Sequence, residues 1–317
     1  MTSRPSSPCC AASRPPGHDE RAAPAIAARQ APTDTTGMCS LSGGRFLMGT
    51  DDIEGFAQDG EGPIREVSVA PFLIDACAVS NAAFAEFVTA TGYVTEAEDF
   101  GWSFVFEGLV SQGNRERTVG SVPGTPWWLA IEGACWHQPE GPGTSLEGRE
   151  QHPVIHVSYN DALAYCRWVG KRLPTEAEWE FMARGGLEQK RYPWGDELMP
   201  DGQHRCNIWQ GQFPTHNTCE DGHMATCPVD AFAPNGYGIF NASGNVWEWC
   251  ADWFGVAHPA PVPADPTGPA SGQVRVMRGG SYLCHRSYCN RYRVAARTGN
   301  TPDSSSGNLG FRCALSA

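Results

Sequence analysis

Past Gly186 the sequence runs almost to its end without a long periodic stretch, through segments rich in Gly, Pro, Asn, Asp and Trp. This constrains the fold more than any other feature, because neither the helical nor the strand repeat of apolar residues is sustained there. The 36 glycines, 25 prolines and 11 tryptophans of the whole chain fit turning backbone packed around large rings, with little regular secondary structure. At 317 residues and 41% hydrophobic content, a substantial core is still expected.

Regular elements are expected mainly before that point. Ordered chain should begin near Met38, where "LSGGRFLMGT" gives a short strand signal after a Gly-Gly turn, and "REVSVAPFLID" alternates as a strand. In "SNAAFAEFVTATG", Ser80 caps a helix that presents Phe84, Phe87 and Val88 on one face and ends at Gly92. Two adjacent helices follow in "NDALAYCRWVGKR" and "LPTEAEWEFMARGG"; Thr175 and Glu178 form a capping-box pattern for the second, and Gly185 and Gly186 end it. No internal repeat or linker divides residues 38–317, so one domain is expected there. Residues 1–37, rich in Pro, Ala and Arg, read as a disordered tail, and Cys9 and Cys10 within it are set aside.

A formal net charge of −12 repels phosphate backbones, so Arg286, Arg291, Arg293 and Arg297 do not argue for nucleic-acid binding. These arginines are expected to pair with carboxylates or to line a pocket. No apolar run is long enough for a spanning helix, and no membrane association is expected. The N-terminus lacks the continuous apolar segment of a signal peptide, which makes a cytoplasmic location the expectation. Thirteen cysteines, an odd count, leave the redox state open.

Three groups of residues carry site chemistry. His152 and His156 flank Val154 and Ile155 in a short strand pattern, where positions four apart are roughly 13 Å distant, so they read as structural histidines. The loops "CNIWQGQFPTHNTCEDGH" and "NASGNVWEW" set oxygen donors on turning backbone, which suits either ordinary Asx turns or a hard ion such as calcium. Cys284 and Cys289, in "RGGSYLCHRSYCNRYRVAAR", meet only if the segment bends, since residues five apart diverge on a helix and face opposite ways on a strand. Spacing alone leaves a local disulfide or two thiolates for a soft ion such as Cu(I); zinc would want four N or S ligands, and no second finger-like pair is present.

The motifs "GGRFLMG", "HPVIHVSYNDALAYCRWVGKRLPTEAEWEFMARGG", "NIWQG", "NGYGIFNASGNVWEW", "RGGSYLCHRSYCNRYRVAAR" and "SSSGNLGFRC" stand in the order found in the formylglycine-generating enzymes, or sulfatase-modifying factors. Over residues 38–317 the chain resembles that family. The resemblance implies an irregular, C-type-lectin-like α+β fold with low regular secondary structure. It also implies oxidation of a sulfatase cysteine, within Cys-x-Pro-x-Arg, to Cα-formylglycine by molecular oxygen with a thiol reductant.

On that resemblance Cys284 and Cys289 would hold Cu(I), and the substrate thiolate would add as a third soft ligand. Ser281 and Tyr288 would orient the reactive species, Trp247 would wall the oxygen pocket, and Asn308 would contact substrate. Two Ca2+ are implied, one at Asn207, Ile208, Asp221 and His223, the other at Asn241, Gly244, Val246 and Glu248. The implied partner is an unfolded or nascent sulfatase, met by a monomer. Cys166 and Cys313 fall where some members form a disulfide, whereas Cys206, Cys219, Cys227 and Cys250 have no role there. Two other readings use related chains: a non-catalytic ligand-binding module, which would need neither cysteine of the pair, and an iron-dependent sulfoxide synthase, which would need a histidine-rich partner domain.

Overall fold

Strand β1 (Met38–Leu41) pairs antiparallel with β4 (Phe72–Asp75), and β14 (Ala314–Ser316) adds to the far side of β4, so the C-terminal strand completes the sheet that the first strand opens. This is seen in a computed structural model, which describes residues 12–14 and 33–317. β2 (Gly44–Met48) and β3 (Arg65–Val69) make a separate antiparallel pair. The segment "REVSVAPFLID", expected as one strand, is therefore two strands of different sheets. Pro71 lies in the break between them, a residue that fixes φ and has no N–H for a ladder.

The helices follow their caps. In α1 (Asn81–Thr91) the Ser80 hydroxyl accepts from the Ala83 N–H, and Gly92 closes the helix at φ 67°. The short α2 (Glu96–Phe100) leads into β5 (Trp102–Phe106), and after α3 (Gln112–Arg115) come β6 (Thr118–Val122) and β7 (Thr125–Glu132), giving a sheet of order β5-β7-β6. α4 (Tyr159–Val169) and α5 (Glu176–Arg184) are the two adjacent helices expected, each opened by a reciprocal capping box. The two-residue strands β8 (Gly211–Gln212) and β9 (His216–Asn217) pin one loop.

The last sheet has the order β12-β11-β10-β13, made of β10 (Trp247–Trp253), β11 (Arg275–Arg278), β12 (Arg297–Asn300) and β13 (Leu309–Gly310). β13 runs parallel to β10 and sets Leu309 opposite Trp247. The larger hydrophobic cluster joins Phe84 and Phe87 of α1, Tyr165 of α4, Trp128 of β7 and Trp247 of β10, and it contains Cys284 and Cys289. A second cluster packs α5 through Trp179 and Met182 onto Phe72, Ile74 and Val276. Mixed, irregular and low in regular structure, this is the α+β architecture expected.

A second expectation is corrected. The region of His152 and His156 is not a strand: it has an isolated bridge between Ser80 and Pro153, and His156 sits at φ 59°. Of the described residues before Met38, Ala12 and Arg14 are buried against the domain, whereas Ser13 and residues 33–37 are exposed. The rest of residues 1–32, including Cys9 and Cys10, lies outside the described residues. The arginines behave as expected: Arg291 pairs with Asp59, Arg293 with Glu61 and Arg297 with Glu176, all buried, tying irregular segments together. Arg286 is exposed.

Candidate active site

Beyond β11 the backbone turns through Gly279 and Gly280, at φ 93° and 73°. A Cβ on Gly280 would come within 2.8 Å of the Arg291 carbonyl, so glycine lets the entry and exit of this segment lie against each other. Two turns follow. The Ser281 carbonyl accepts from the Cys284 N–H at 2.9 Å, and the His285 carbonyl accepts from the N–H groups of Tyr288 at 2.9 Å and Cys289 at 2.7 Å. The segment bends as the five-residue spacing requires, and it brings the two sulfurs to 3.4 Å.

At that distance Cys284 and Cys289 are not bonded to each other, a disulfide being about 2.05 Å. Cys289 is disulfide-bonded, and no described cysteine is its partner. Both side chains are fully buried. The Ser281 N–H points at the Cys284 sulfur from 3.3 Å, and Arg291 Nη1 stands 3.8 Å from the Cys289 sulfur while its Nε donates to Asp59. Each contact sets a donor hydrogen toward a sulfur.

Ser281 Oγ accepts from Asn308 Nδ2 at 2.9 Å, and Asn308 Oδ1 accepts from Ser306 Oγ at 2.8 Å. Trp247 enters through its backbone, its N–H donating to the Asn308 carbonyl at 2.9 Å; its indole Nε1 is buried without a partner. Tyr288 stacks on Phe213 with centroids 4.9 Å apart and meets the edge of Trp127 at 5.1 Å. The Trp209 N–H donates to the Cys284 carbonyl. The structure thus joins Cys284, Cys289, Ser281, Asn308 and Trp247 in one connected cluster and sets Tyr288 on its aromatic wall.

Trp127, Phe213 and Trp209 were not singled out from the sequence, and Arg291 was named there only as pairing with a carboxylate or lining a pocket. The rings' only signal is the chain's abundance of aromatic residues, which does not say which rings meet.

The loop donors can be tested for a hard cation. Asn207 Oδ1 is buried with no partner. Asp221 receives the N–H groups of Ile208 and His223, and Gln210 Nε2 donates to both Asp221 and the Ile208 carbonyl. A neutral amide donor is thus drawn to the oxygens of the first set, which are the hard donors an ion such as calcium takes. In the second set Asn241 Oδ1 is likewise orphaned, but Glu248 accepts from Trp179 and from two nitrogens of Arg312, whose guanidinium already balances its charge, whereas the donors to Asp221 are neutral. The first set fits better than the second.

Five further cysteines and the two histidines named from the sequence have local surroundings of their own. Cys166 and Cys313 are free buried thiols with sulfurs 3.6 Å apart. Burial pushes the Cys227 thiol up to about 12 and raises those of Cys206 and Cys250, which makes them inert thiols. His156 Nδ1 meets Ser103 Oγ at 2.8 Å and burial holds its pKa at about 3, so the ring stays neutral; His152 meets Thr226. Neither shares a ligand with the other.

Similarity to known proteins agrees with this geometry. The profile of the family described as sulfatase-modifying factor enzyme 1-like domain matches residues 24–317, starting ahead of Met38. The formylglycine-generating enzyme of Thermomonospora curvata is 62% identical over 282 residues, covering 88% of this chain and 93% of that protein. An inactive C-alpha-formylglycine-generating enzyme 2 of Bos taurus is 50% identical, covering 89% of each chain. The solved structure of PvdO from Pseudomonas aeruginosa superposes with a TM-score of 0.65 at 24% identity, over 88% of this chain and 94% of that one, and supports the fold alone.

Proposed function

The chain belongs to the sulfatase-modifying factor family, and from that premise we propose that it is a formylglycine-generating enzyme. Its domain of residues 38–317 oxidises the cysteine of a Cys-x-Pro-x-Arg segment in a sulfatase to Cα-formylglycine, with molecular oxygen as acceptor and a thiol as reductant. Overall identity does not carry the reading, because an inactive relative is half identical. The buried sulfur pair at 3.4 Å, set among Ser281, Asn308 and Arg291, carries it.

Two sulfurs beside a guanidinium and aromatic rings are a soft donor set, and Cys284 with reduced Cys289 would hold one Cu(I). Bound there, the ion supplies the redox chemistry toward oxygen that side chains lack. The protein's own groups do the rest. Once Cys289 is reduced, Arg291 and the Ser281 N–H would favour the thiolate forms of the two sulfurs, and a client thiolate would be drawn to the same field. The Ser281–Asn308 pair fixes the polar edge where the client backbone lies, while Trp247, Trp209 and the stacked Tyr288 and Phe213 exclude water. Thiol exchange returns Cys289 from its disulfide to the thiolate, so the reductant has a second task here.

Two structural Ca2+ belong to the same proposal, on the donors described above. So do a monomeric state, a cytoplasmic location and an unfolded or nascent client; among the described residues no helix is long and apolar enough to cross a membrane. The test is incubation with a Cys-x-Pro-x-Arg peptide, copper, thiol and oxygen, read by peptide mass and by copper per chain. Cys284→Ser and Cys289→Ser should each lose both turnover and stoichiometric copper while keeping the native melt. Turnover surviving in either variant would refute the assignment.

A further inference from the structure

Residues 12–14 are seated on the domain by a set of contacts that look like recognition. The Arg14 guanidinium lies over the rings of Phe100 and Trp102, 4.1 and 4.0 Å from their centroids. Its Nη2 donates to the Trp102 carbonyl at 2.8 Å and Ser305 Oγ at 3.2 Å, and its Nε donates to the Asp303 carbonyl at 3.0 Å. The Arg14 N–H donates to Ser304 Oγ at 2.8 Å, and Asn300 grips the preceding chain, accepting from Ser13 Oγ and donating to the Ala12 carbonyl. Only 2% of Arg14 is exposed, and Nη1 alone lacks a partner. Burial lowers its pKa to about 10, so it is still a cation at neutral pH.

This pocket is continuous with the sulfur site. Ser305 adjoins Ser306, which donates to Asn308, which donates to Ser281, whose N–H faces the Cys284 sulfur. The sequence around Arg14 is Cys10-Ala11-Ala12-Ser13-Arg14, which places a cysteine four residues before an arginine, as in Cys-x-Pro-x-Arg, with alanine in place of proline. Four extended residues span at most ~14 Å, and the strip from Ser305 to Asn308 spans at most ~11 Å, so an arginine in this pocket brings the residue four before it within reach of the sulfurs. Cys10 itself lies outside the described residues.

We propose that the Ala12–Arg14 segment is a built-in competitor of the client, Arg14 holding the subsite that the client's arginine enters. This rests on the function proposed above and goes beyond it, because it makes access to the site depend on release of the chain's own N-terminal segment. A client would bind only to the fraction of molecules in which the segment is released, which weakens its apparent affinity by that fraction.

Binding rather than turnover tests it. A dye-labelled Cys-x-Pro-x-Arg peptide is titrated by fluorescence anisotropy, under a thiol reductant, into the full chain and into Arg14→Ala. Removing the competitor should tighten peptide binding by roughly 3- to 10-fold. A synthetic peptide of residues 8–16 should displace the labelled peptide from R14A, and its own Arg14→Ala version should not. If R14A binds the client peptide no more tightly than the full chain, or if the residue 8–16 peptide fails to displace it, the proposal is overturned. A purely structural strap would lower the melting temperature of R14A without any gain in peptide affinity. Tighter binding without turnover by either protein would refute the oxidase reading and leave the competition standing.

Discussion

At the scale of single residues, buried charge governs pH behaviour. Burial alone would raise the Glu180 carboxyl, but Arg184 and Arg278 outweigh it and hold it at about 2. A carboxyl lowered in the folded state contributes stability that is complete above its ordinary value of 4.5 and lost as pH falls toward 2. Glu180→Gln should therefore flatten the acid limb of the stability curve and, by leaving Arg184 without its carboxylate, cost about 3–5 kcal/mol at neutral pH. Urea titrations at a series of pH values check both; if E180Q unfolds with the wild type at neutral pH, the network is dispensable.

Asp252 is the opposite case. Burial, with Glu176 nearby, raises it to about 7, so the folded state holds its proton longer than the unfolded chain. Its contribution weakens as pH rises from its ordinary 3.8 through about 7. Asp252→Asn keeps an acceptor for the Glu176 N–H and should remove that part of the slope; an unchanged slope would place the titration elsewhere.

At the scale of elements, local chemistry was readable where it is complete within one turn. Thr175 and Glu178 exchange hydrogen bonds at 3.2 and 2.8 Å, as their spacing implied, and α5 then carries Trp179, Glu176 and Glu180 inward together. Thr175→Ala should cost about 1 kcal/mol in chemical denaturation. A loss below experimental error would show that the Glu178–Arg172 pair alone holds the helix start. The sheet β5-β7-β6 was not readable, because its strands are bulged and "TPWWLAIE" does not alternate cleanly.

At the scale of the molecule, the two oxygen-rich loops are pressed together. Gly244, at φ +75°, lies so close to the Asn207 carbonyl that a Cβ would stand 2.2 Å from it. An ion in either loop would thus brace both, and it stabilises only the folded state. Excess chelator should lower the melting temperature, and Asp221→Ala should mimic the loss and make melting less sensitive to chelator. Unchanged melting in chelator would mean that the loops stand on their own hydrogen bonds.

What the sequence by itself determined is what a few neighbouring residues encode: the capped helices, the glycine-permitted turns, the bend that Cys284 and Cys289 require, and the arginines' need of carboxylates. Helix caps and turns are set by propensity and spacing over three to five positions, where no distant partner is needed. Only the tertiary structure decided that Trp127 and Phe213 enclose Tyr288, that Arg291 faces Cys289, and that residues 300–305 join 100–102 around Arg14. Those contacts join irregular segments with no shared period. Their partners are chosen by how the whole core packs and which buried charges find a counter-charge, and neither condition is written in any one stretch of chain.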